Sequence, residues 1–167
     1  MKWNNVQTPS AFLRGVTLVE LMVVVSIAAI LLSVSIPSLK SMNANNTASR
    51  LINELKLDIG FARSQAISLS TTIQIIPING SWSNGWRVLQ GATELRSRGS
   101  TSNPIADSGV ISSTDYNSGT PITFDNRGRA QSTGSLTLHV PYCSGNKVFK
   151  LSINQIGQLI QQESACP

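Results

Sequence analysis

The sequence predicts an α+β protein in which one long N-terminal helix packs on small antiparallel β-sheets. An apolar run covers residues 16–36, and a helical pattern continues from it to about residue 70. Strand patterns replace the helical pattern from Thr71 onward, and each is bounded by Gly, Asn or Ser. A block of helix followed by a block of strands favours antiparallel sheets over alternating βαβ units.

Four segments are expected along the chain. Residues 1–15 would be a leader that is removed, and residues 16–36 a membrane-spanning half of the helix. Residues 37–70 would form its amphipathic half, and residues 71–167 the β domain. The total of 167 residues suits one compact domain with such appendages.

The composition favours a secreted or surface-assembled protein over a cytosolic enzyme. Hydrophobic residues make up 41% of the chain but charged residues only 13%, about half the usual charged fraction. The formal net charge is +5, from 13 basic and 8 acidic residues. Lys2 and Arg14 precede the apolar run, so loss of the leader leaves 11 basic residues against 8 acidic ones. That small excess gives little support for a polyanionic partner.

The apolar run reads VTLVELMVVVSIAAILLSVSI, from Val16 to Ile36, and Glu20 is its one charged residue. As a helix it would be about 31 Å long, roughly one hydrocarbon thickness. A secretory signal peptide is disfavoured, because the run is long and no small-x-small cleavage site follows it. A plain membrane anchor leaves Glu20 unexplained, because an ionised carboxylate in the bilayer costs about 2.5 kcal/mol or more.

A cut after Gly15 removes this difficulty. Val16 would then carry a new α-amino group, and Glu20 would be the fifth residue, one helical turn away. In a stack of staggered helices, Glu20 of one chain can meet the amine of its neighbour. Such an ion pair in a low dielectric fixes the register between subunits, because loss of either partner is strongly destabilising.

The stretch RGVTLVEL resembles the class III leader and N-terminus of type IV pilins and type II secretion pseudopilins. The resemblance implies cleavage between Gly15 and Val16 and N-methylation of Val16 by a prepilin peptidase. Val16 stands where Phe is commonest in these families. Pro37 removes one helical hydrogen bond. In the family, a proline at this place marks a segment of helix that can melt in the assembled filament. An alternative interpretation, compatible with the first, is that Pro37 marks the edge of the bilayer.

After Pro37 the apolar residues recur at spacings of three and four, which predicts an amphipathic helix that packs on a sheet. The stripe consists of Leu51, Leu55, Ile59, Ala62, Ala66 and Leu69, with Ile52 and Phe61 beside it. The charged residues that lie mostly off the stripe are Arg50, Glu54, Lys56 and Asp58. The segment ELKLDIGFARSQAI resembles the GspH/FimT branch, which implies a minor pilin or minor pseudopilin.

The remainder predicts two small antiparallel sheets. The expected strands lie in TTIQIIPI, SWSNGWRVL, ATELRSR, PITFD, SLTLHV, KVFKLSI and GQLIQ. Residues 99–120 are rich in Ser, Gly, Thr and Asn and are expected to form a long loop with room for one short strand. Trp82 and Trp86 are expected to anchor the core or a hairpin. The order of WSNGWRVL, ELRSR and ITFDNRGRA resembles the GspH domain, so the resemblance covers nearly the whole mature chain.

Two cysteines, Cys143 and Cys166, are not at a metal-ligand spacing. They would be buried free thiols in a reducing compartment, whereas an extracytoplasmic location favours a disulfide. The disulfide would close a loop of about 23 residues and stabilise the fold by roughly 3 kcal/mol.

The sequence contains no pattern typical of catalysis, so we expect no enzymatic activity, cofactor or metal. His139 is the only histidine and lies in the strand pattern SLTLHV, without an acid or nucleophile nearby in sequence. Asp107, Asp115 and Asp125 are too scattered to predict a metal site.

Three basic pairs are candidates for contact with DNA, which some members of this family bind during natural transformation. They are Arg96 and Arg98, Arg127 and Arg129, and Lys147 and Lys150. In those relatives the arginines occupy a Gly-Arg-x-Arg motif in the last strand pair. The corresponding stretch here is Gly157-Gln158-Leu159-Ile160, without either arginine, so the motif predicts no DNA contact at that place.

The resemblance therefore implies a minor pilin of a type IV pilus, similar to the FimT and FimU group. Its partners would be prepilin peptidase, other minor pilins, the major pilin and the inner-membrane assembly platform. It would cross the bacterial inner membrane once, with a periplasmic C-terminal domain, before joining an initiation or tip complex. The alternatives are a GspH-type pseudopilin of a type II secretion system and a DNA-binding minor pilin.

Overall fold

A computed structural model describes residues 16–167; Gly15 and the other residues of the expected leader lie outside the described residues. The chain divides into two compact units, Met1–Pro37 and Ser38–Pro167. Helix α1 (Leu18–Ser68) contributes residues to both units, and Pro37 lies inside it. The expected helix boundaries are therefore close to those found.

The described part of the first unit, residues 16–37, is mostly helical, and its described side chains are exposed. Thr17 caps its start, since the hydroxyl of Thr17 accepts a hydrogen bond from the N–H of Glu20 at 3.2 Å. The hydroxyls of Ser26 and Ser35 each donate to the carbonyl four residues earlier, at 2.8 Å. These bonds satisfy the two serine hydroxyls within the helix, as a lipid environment requires. The helix is long and apolar enough to cross a membrane.

In the second unit, a first four-stranded sheet contains the longest strands. It consists of β1 (Ile73–Ile78), β2 (Ser81–Gln90), β3 (Thr93–Gly99) and β5 (Ile122–Phe124). The strand order is β3-β2-β1-β5, and every neighbouring pair is antiparallel.

A second four-stranded sheet uses the later part of the chain. It consists of β4 (Ile111–Ser112), β6 (Gly134–Leu138), β7 (Val148–Ile153) and β8 (Leu159–Ser164). The order is β4-β6-β7-β8, again antiparallel throughout. The prediction of two small antiparallel sheets is confirmed, and β4 is the one short strand expected within residues 99–120.

The core forms where the apolar stripe of α1 meets residues from both sheets. Its fully buried members include Leu51, Leu55, Ile59, Ala62, Ala66, Trp86, Ile122, Phe124, Leu136 and Leu151. Trp82 is 3% exposed, so both tryptophans belong to the core as expected. Leu69 was expected on the stripe but is 45% exposed. The helix ends at Ser68, and Ser70 takes a φ of +50°, so Leu69 leaves the helical repeat.

Candidate assembly site

The first unit presents one carboxylate within an exposed apolar surface. Glu20 lies in the first turn of α1, where the positive end of the helix dipole favours a negative charge. Among residues 16–167, no basic side chain lies within salt-bridge distance of Glu20. Large apolar side chains surround it in sequence, and Val16 and Leu18 are more than two-thirds exposed. Both the carboxylate and the apolar surface can therefore be satisfied by other molecules.

Pro37 ends this unit and weakens α1 locally. A proline has no N–H, so the carbonyl of Ser33 lacks the donor that the helical pattern would supply four residues later. The expected loosening at Pro37 thus has a physical basis in the helix itself.

In the second unit, a buried carboxylate fixes α1 to the first sheet. Asp58 is fully buried. It accepts hydrogen bonds from Trp86 Nε1 on β2 at 2.9 Å and from Arg96 Nη1 on β3 at 2.7 Å. Arg98 on β3 completes the set by donating from Nε and Nη2. The Arg96 guanidinium also lies 4.0 Å from the ring centroid of Phe61 on α1, a cation–π contact.

These donors decide the charge state of Asp58. Burial alone raises the pKa of its carboxyl, but hydrogen bonds from Arg98, Arg96 and Trp86 outweigh burial and hold the pKa below its usual range. The same pairing raises the pKa of Arg98. The cluster is therefore ionised at neutral pH, with two guanidinium groups around one carboxylate.

Sequence reasoning missed Asp58, although two signals were present. Asp58 follows Leu55 by three residues and precedes Ala62 by four, so it shares the buried face of the helix. Arg96 and Arg98 are two residues apart on one strand and therefore project to the same side of the sheet. A carboxylate on an apolar stripe requires buried donors, and this arginine pair supplies them.

The six basic residues named as candidates for DNA contact have different surroundings. Arg96 and Arg98 are occupied by Asp58. Lys147 donates to Ser49 Oγ at 3.4 Å and lies 5.9 Å from the ring of Phe149. Lys150 is exposed on β7. Arg127 and Arg129 are exposed and make no salt bridge with a residue in the described range 16–167.

The turn that carries Arg127 and Arg129 is built by Asp125. The Asp125 carboxylate accepts the backbone N–H of Arg127 at 2.9 Å and of Arg129 at 2.8 Å. The bond from Arg129 lowers the Asp125 pKa most; burial opposes it, and the bond from Arg127 adds to the lowering, so the pKa stays below its usual range. Arg63 on α1 donates to the Gly128 carbonyl at 2.8 Å and to the Ile156 carbonyl at 3.1 Å. Arg63 therefore links the Arg127–Arg129 turn to the turn between β7 and β8.

The two cysteines form a disulfide, with their Cα atoms 5.8 Å apart. The prediction of a Cys143–Cys166 bridge is confirmed. Asn45 on α1 holds the bridged loop through two hydrogen bonds, from Asn45 Nδ2 to Ser144 Oγ at 3.1 Å and from the Ser144 N–H to Asn45 Oδ1 at 3.0 Å. The loop is thus fixed both covalently and to the helix.

Residues typical of catalytic centres are dispersed. Within residues 16–167, no three His, Cys, Asp or Glu side chains lie close enough together to hold a metal ion. His139 follows β6 rather than lying inside it, and its backbone N–H donates to the Val110 carbonyl at 2.9 Å. The strand assignment of His139 was therefore wrong by one residue.

Comparison with protein-family models gives two matches. Residues 51–157 match the family described as type II transport protein GspH. Residues 14–36 match the prokaryotic N-terminal methylation motif, which contains Val16 and Glu20. Comparison with curated proteins gives no match.

Two crystal structures of the type IV minor pilin FimU from Pseudomonas aeruginosa have a similar fold. In the P65 crystal form the TM-score is 0.52 at 18% identity, over 71% of this chain and 99% of FimU. In the P21 form the TM-score is 0.54 at 19% identity, over 73% of this chain and 96% of FimU. The GspH match alone spans more than half of the sequence. The chain therefore belongs to the GspH family, and it shares the α+β fold of FimU.

Proposed function

We propose that this protein is a minor pilin of a type IV pilus that takes part in the initiation or tip complex. Prepilin peptidase would cut between Gly15 and Val16 and methylate the new amine. Residues 16–36 would hold the subunit in the inner membrane, with the β domain in the periplasm, until the assembly platform transfers it to the filament. Its role is mechanical, and it has no enzymatic activity.

One observation carries this proposal: a carboxylate with no basic partner among residues 16–167 lies in the first turn of an exposed apolar helix, in a segment that matches the methylation motif. A charge in an apolar environment is costly unless it is paired. The N-terminal amine that cleavage creates is a cation. When neighbouring helices are staggered along the filament, the amine of one subunit lies at the same height as Glu20 of the next. The Glu20 carboxylate and this amine would set the axial position of the subunit, with minor pilins or the major pilin as neighbours.

The test is Glu20→Gln, which removes the charge and keeps the side-chain volume. We expect normal cleavage of the leader but loss of the variant from sheared pili, measured by immunoblotting. The matched control is Glu54→Gln on the same helix, which breaks only a surface pair with Arg50 and contributes little. Normal incorporation of Glu20→Gln would contradict the ion-pair proposal.

A second candidate is a minor pseudopilin of a type II secretion system, which the description of the matching family favours. The same fold and the same Glu20 pair would serve a pseudopilus. Deletion of the gene separates the two machines. A pilus subunit gives loss of surface pili with intact exoprotein secretion, and a pseudopilin gives the reverse.

A third candidate is a DNA-binding minor pilin, which Arg63 and the exposed pair Arg127 and Arg129 favour. Arg63 is joined by hydrogen bonds to the turn of Arg127 and Arg129 and to Ile156, next to the place where DNA-binding relatives carry their motif. Duplex DNA would be titrated at several salt concentrations. Weaker binding by Arg127→Ala/Arg129→Ala, with a salt slope that is smaller by about one for each lost phosphate contact, supports this role. Arg50→Ala is the control. Absence of binding by the wild-type protein at about 100 μM, the upper end of ordinary non-specific affinity, would contradict the DNA-binding role.

A further inference from the structure

A disulfide-bridged loop in the second unit carries Tyr142, the most exposed aromatic side chain among residues 16–167. Tyr142 is 77% exposed. Its φ of +64° lies in the left-handed region, which bulky residues rarely adopt unless the surroundings impose it. Lys40 on α1 lies with Nζ 5.9 Å from the centroid of the tyrosine ring, within the range of a cation–π contact.

Contacts along the loop fix which end of the domain carries Tyr142. Tyr142 meets Lys40, Ser144 bonds Asn45, and Lys147 donates to Ser49. The loop and the helix therefore run side by side in the same direction. Tyr142 lies at the end of the loop that is nearest to Pro37 in the helix sequence.

That end of the domain lies next to the apolar run in the chain. Lys40 follows Ile36 by four residues, a separation that spans at most about 14 Å even when fully extended. Leu39 and Met42 flank Lys40 and are more than half exposed, so apolar surface continues past Pro37. When residues 16–36 span a bilayer, Lys40 therefore lies within about 14 Å of the end of the spanning segment, close to the lipid headgroups, and Tyr142 lies beside Lys40.

We propose that Tyr142 and Lys40 form an interfacial anchor, which rests on the lipid headgroups of the membrane while the subunit awaits assembly. Tyrosine suits this zone because its ring is apolar and its hydroxyl is polar, and lysine reaches the anionic headgroups on a flexible apolar stem. The disulfide and the Asn45–Ser144 bonds hold the ring outward before any lipid is met, which reduces the ordering that binding requires. This inference rests on the membrane stage of the proposed function.

The test places a fluorescent reporter at the loop of the full chain in lipid nanodiscs. The discs contain phosphatidylethanolamine and phosphatidylglycerol, with a nitroxide quencher on the headgroup, and one protein chain each. Tyr142→Trp reports the loop. Ile156→Trp is the matched control, because Ile156 is also exposed. The Ile156 carbonyl accepts a hydrogen bond from Arg63. Arg63 lies 23 residues after Lys40 on α1, which places it about 35 Å further along the helix. Both variants carry Trp3→Phe, and Trp82 and Trp86 give a buried background.

We expect the nitroxide to quench the tryptophan fluorescence of Tyr142→Trp and to leave the tryptophan fluorescence of Ile156→Trp unchanged. Thiol titration checks that the disulfide has formed; where Tyr142→Trp prevents it, Pro141→Trp on the same exposed loop repeats the measurement. If both variants insert into the discs and the nitroxide quenches them equally, the proposed interfacial anchor is overturned, whereas the proposed membrane stage of the function is not. Failure to insert overturns both. Equal emission together with loss of Tyr142→Ala from filaments assigns the loop to a neighbouring subunit and also overturns the anchor.

Discussion

Trp86 Nε1 donates a hydrogen bond to the Asp58 carboxylate at 2.9 Å, and neither side chain is exposed to solvent. This bond joins the middle of the amphipathic half-helix to the central part of the first sheet. Apolar packing alone tolerates small shifts of a helix on a sheet, whereas a hydrogen bond to a buried charge has a required length and direction. Asp58 and Trp86 therefore specify where the helix lies on the sheet.

Asp58→Asn should strongly destabilise the domain. The amide keeps the volume but leaves Arg96 and Arg98 without their carboxylate, and breaking a buried ion pair costs about 3 kcal/mol or more. Urea unfolding of residues 38–167 measures this, followed by the fluorescence of Trp82 and Trp86, since all buried apolar residues lie within that unit.

Asp107→Asn is the control for this substitution, because Asp107 is an exposed carboxylate without a side-chain partner among the described residues. We expect its midpoint to remain within error of the wild type. Equal midpoints for the Asp58 and Asp107 variants would show that the cluster does not hold the helix in place.

Acid should weaken the domain through the same carboxylate. The pKa of Asp58 is lowered in the folded state, below the unfolded value of about 3.9. Its stabilisation is fully present above the unfolded pKa and is lost as the pH falls through the folded pKa. We expect the free energy of unfolding to decline below about pH 4, and to decline less in Asp58→Asn. Asp115 and Asp125, whose pKa values are also lowered, act equally in both proteins. Parallel pH profiles would contradict this assignment.

Most of the fold could be predicted from periodicity, because each element has a distinct repeat. Leu51, Leu55 and Ala62 recur at helical spacing, and all are buried. The prediction was incomplete where one residue broke the pattern. Asp58 was grouped with the charged residues that lie mostly off the stripe, although its spacing places it with Leu55 and Ala62. Its burial depends on donors some 40 residues away in sequence, and local patterns do not contain that pairing.

The candidate site was predictable only where it depends on local sequence. Glu20 and Pro37 are positions along one helix, so their places follow from counting residues. The contact between Tyr142 and Lys40 joins residues about a hundred positions apart, and it depends on how the bridged loop folds back to α1. Charge and spacing alone do not reveal such a contact.

Loss of the disulfide should destabilise the domain by about 3 kcal/mol, as expected for a loop of this length. The bridge joins residues 23 positions apart. Cys143→Ser combined with Cys166→Ser avoids a free thiol, and thermal unfolding gives the change. A reductant should lower the wild-type midpoint to that of the double variant and leave the variant unaffected. A wild-type midpoint that resists reductant while both thiols titrate would contradict the prediction.

Gly128→Ala should test how closely the Arg127–Arg129 turn packs on the helix. Gly128 has a φ of +72°, and an added Cβ would lie 2.7 Å from Cδ1 of Ile67. Gly91→Ala is a matched control, since Gly91 has a φ of +58° and open space around it. The left-handed backbone should cost both variants about 1–2 kcal/mol. Gly128→Ala should lose about 1 kcal/mol more, because Ile67 must leave its preferred rotamer. Equal urea midpoint shifts would show that Ile67 moves aside freely, and that the contact between Ile67 and the turn does not limit the packing.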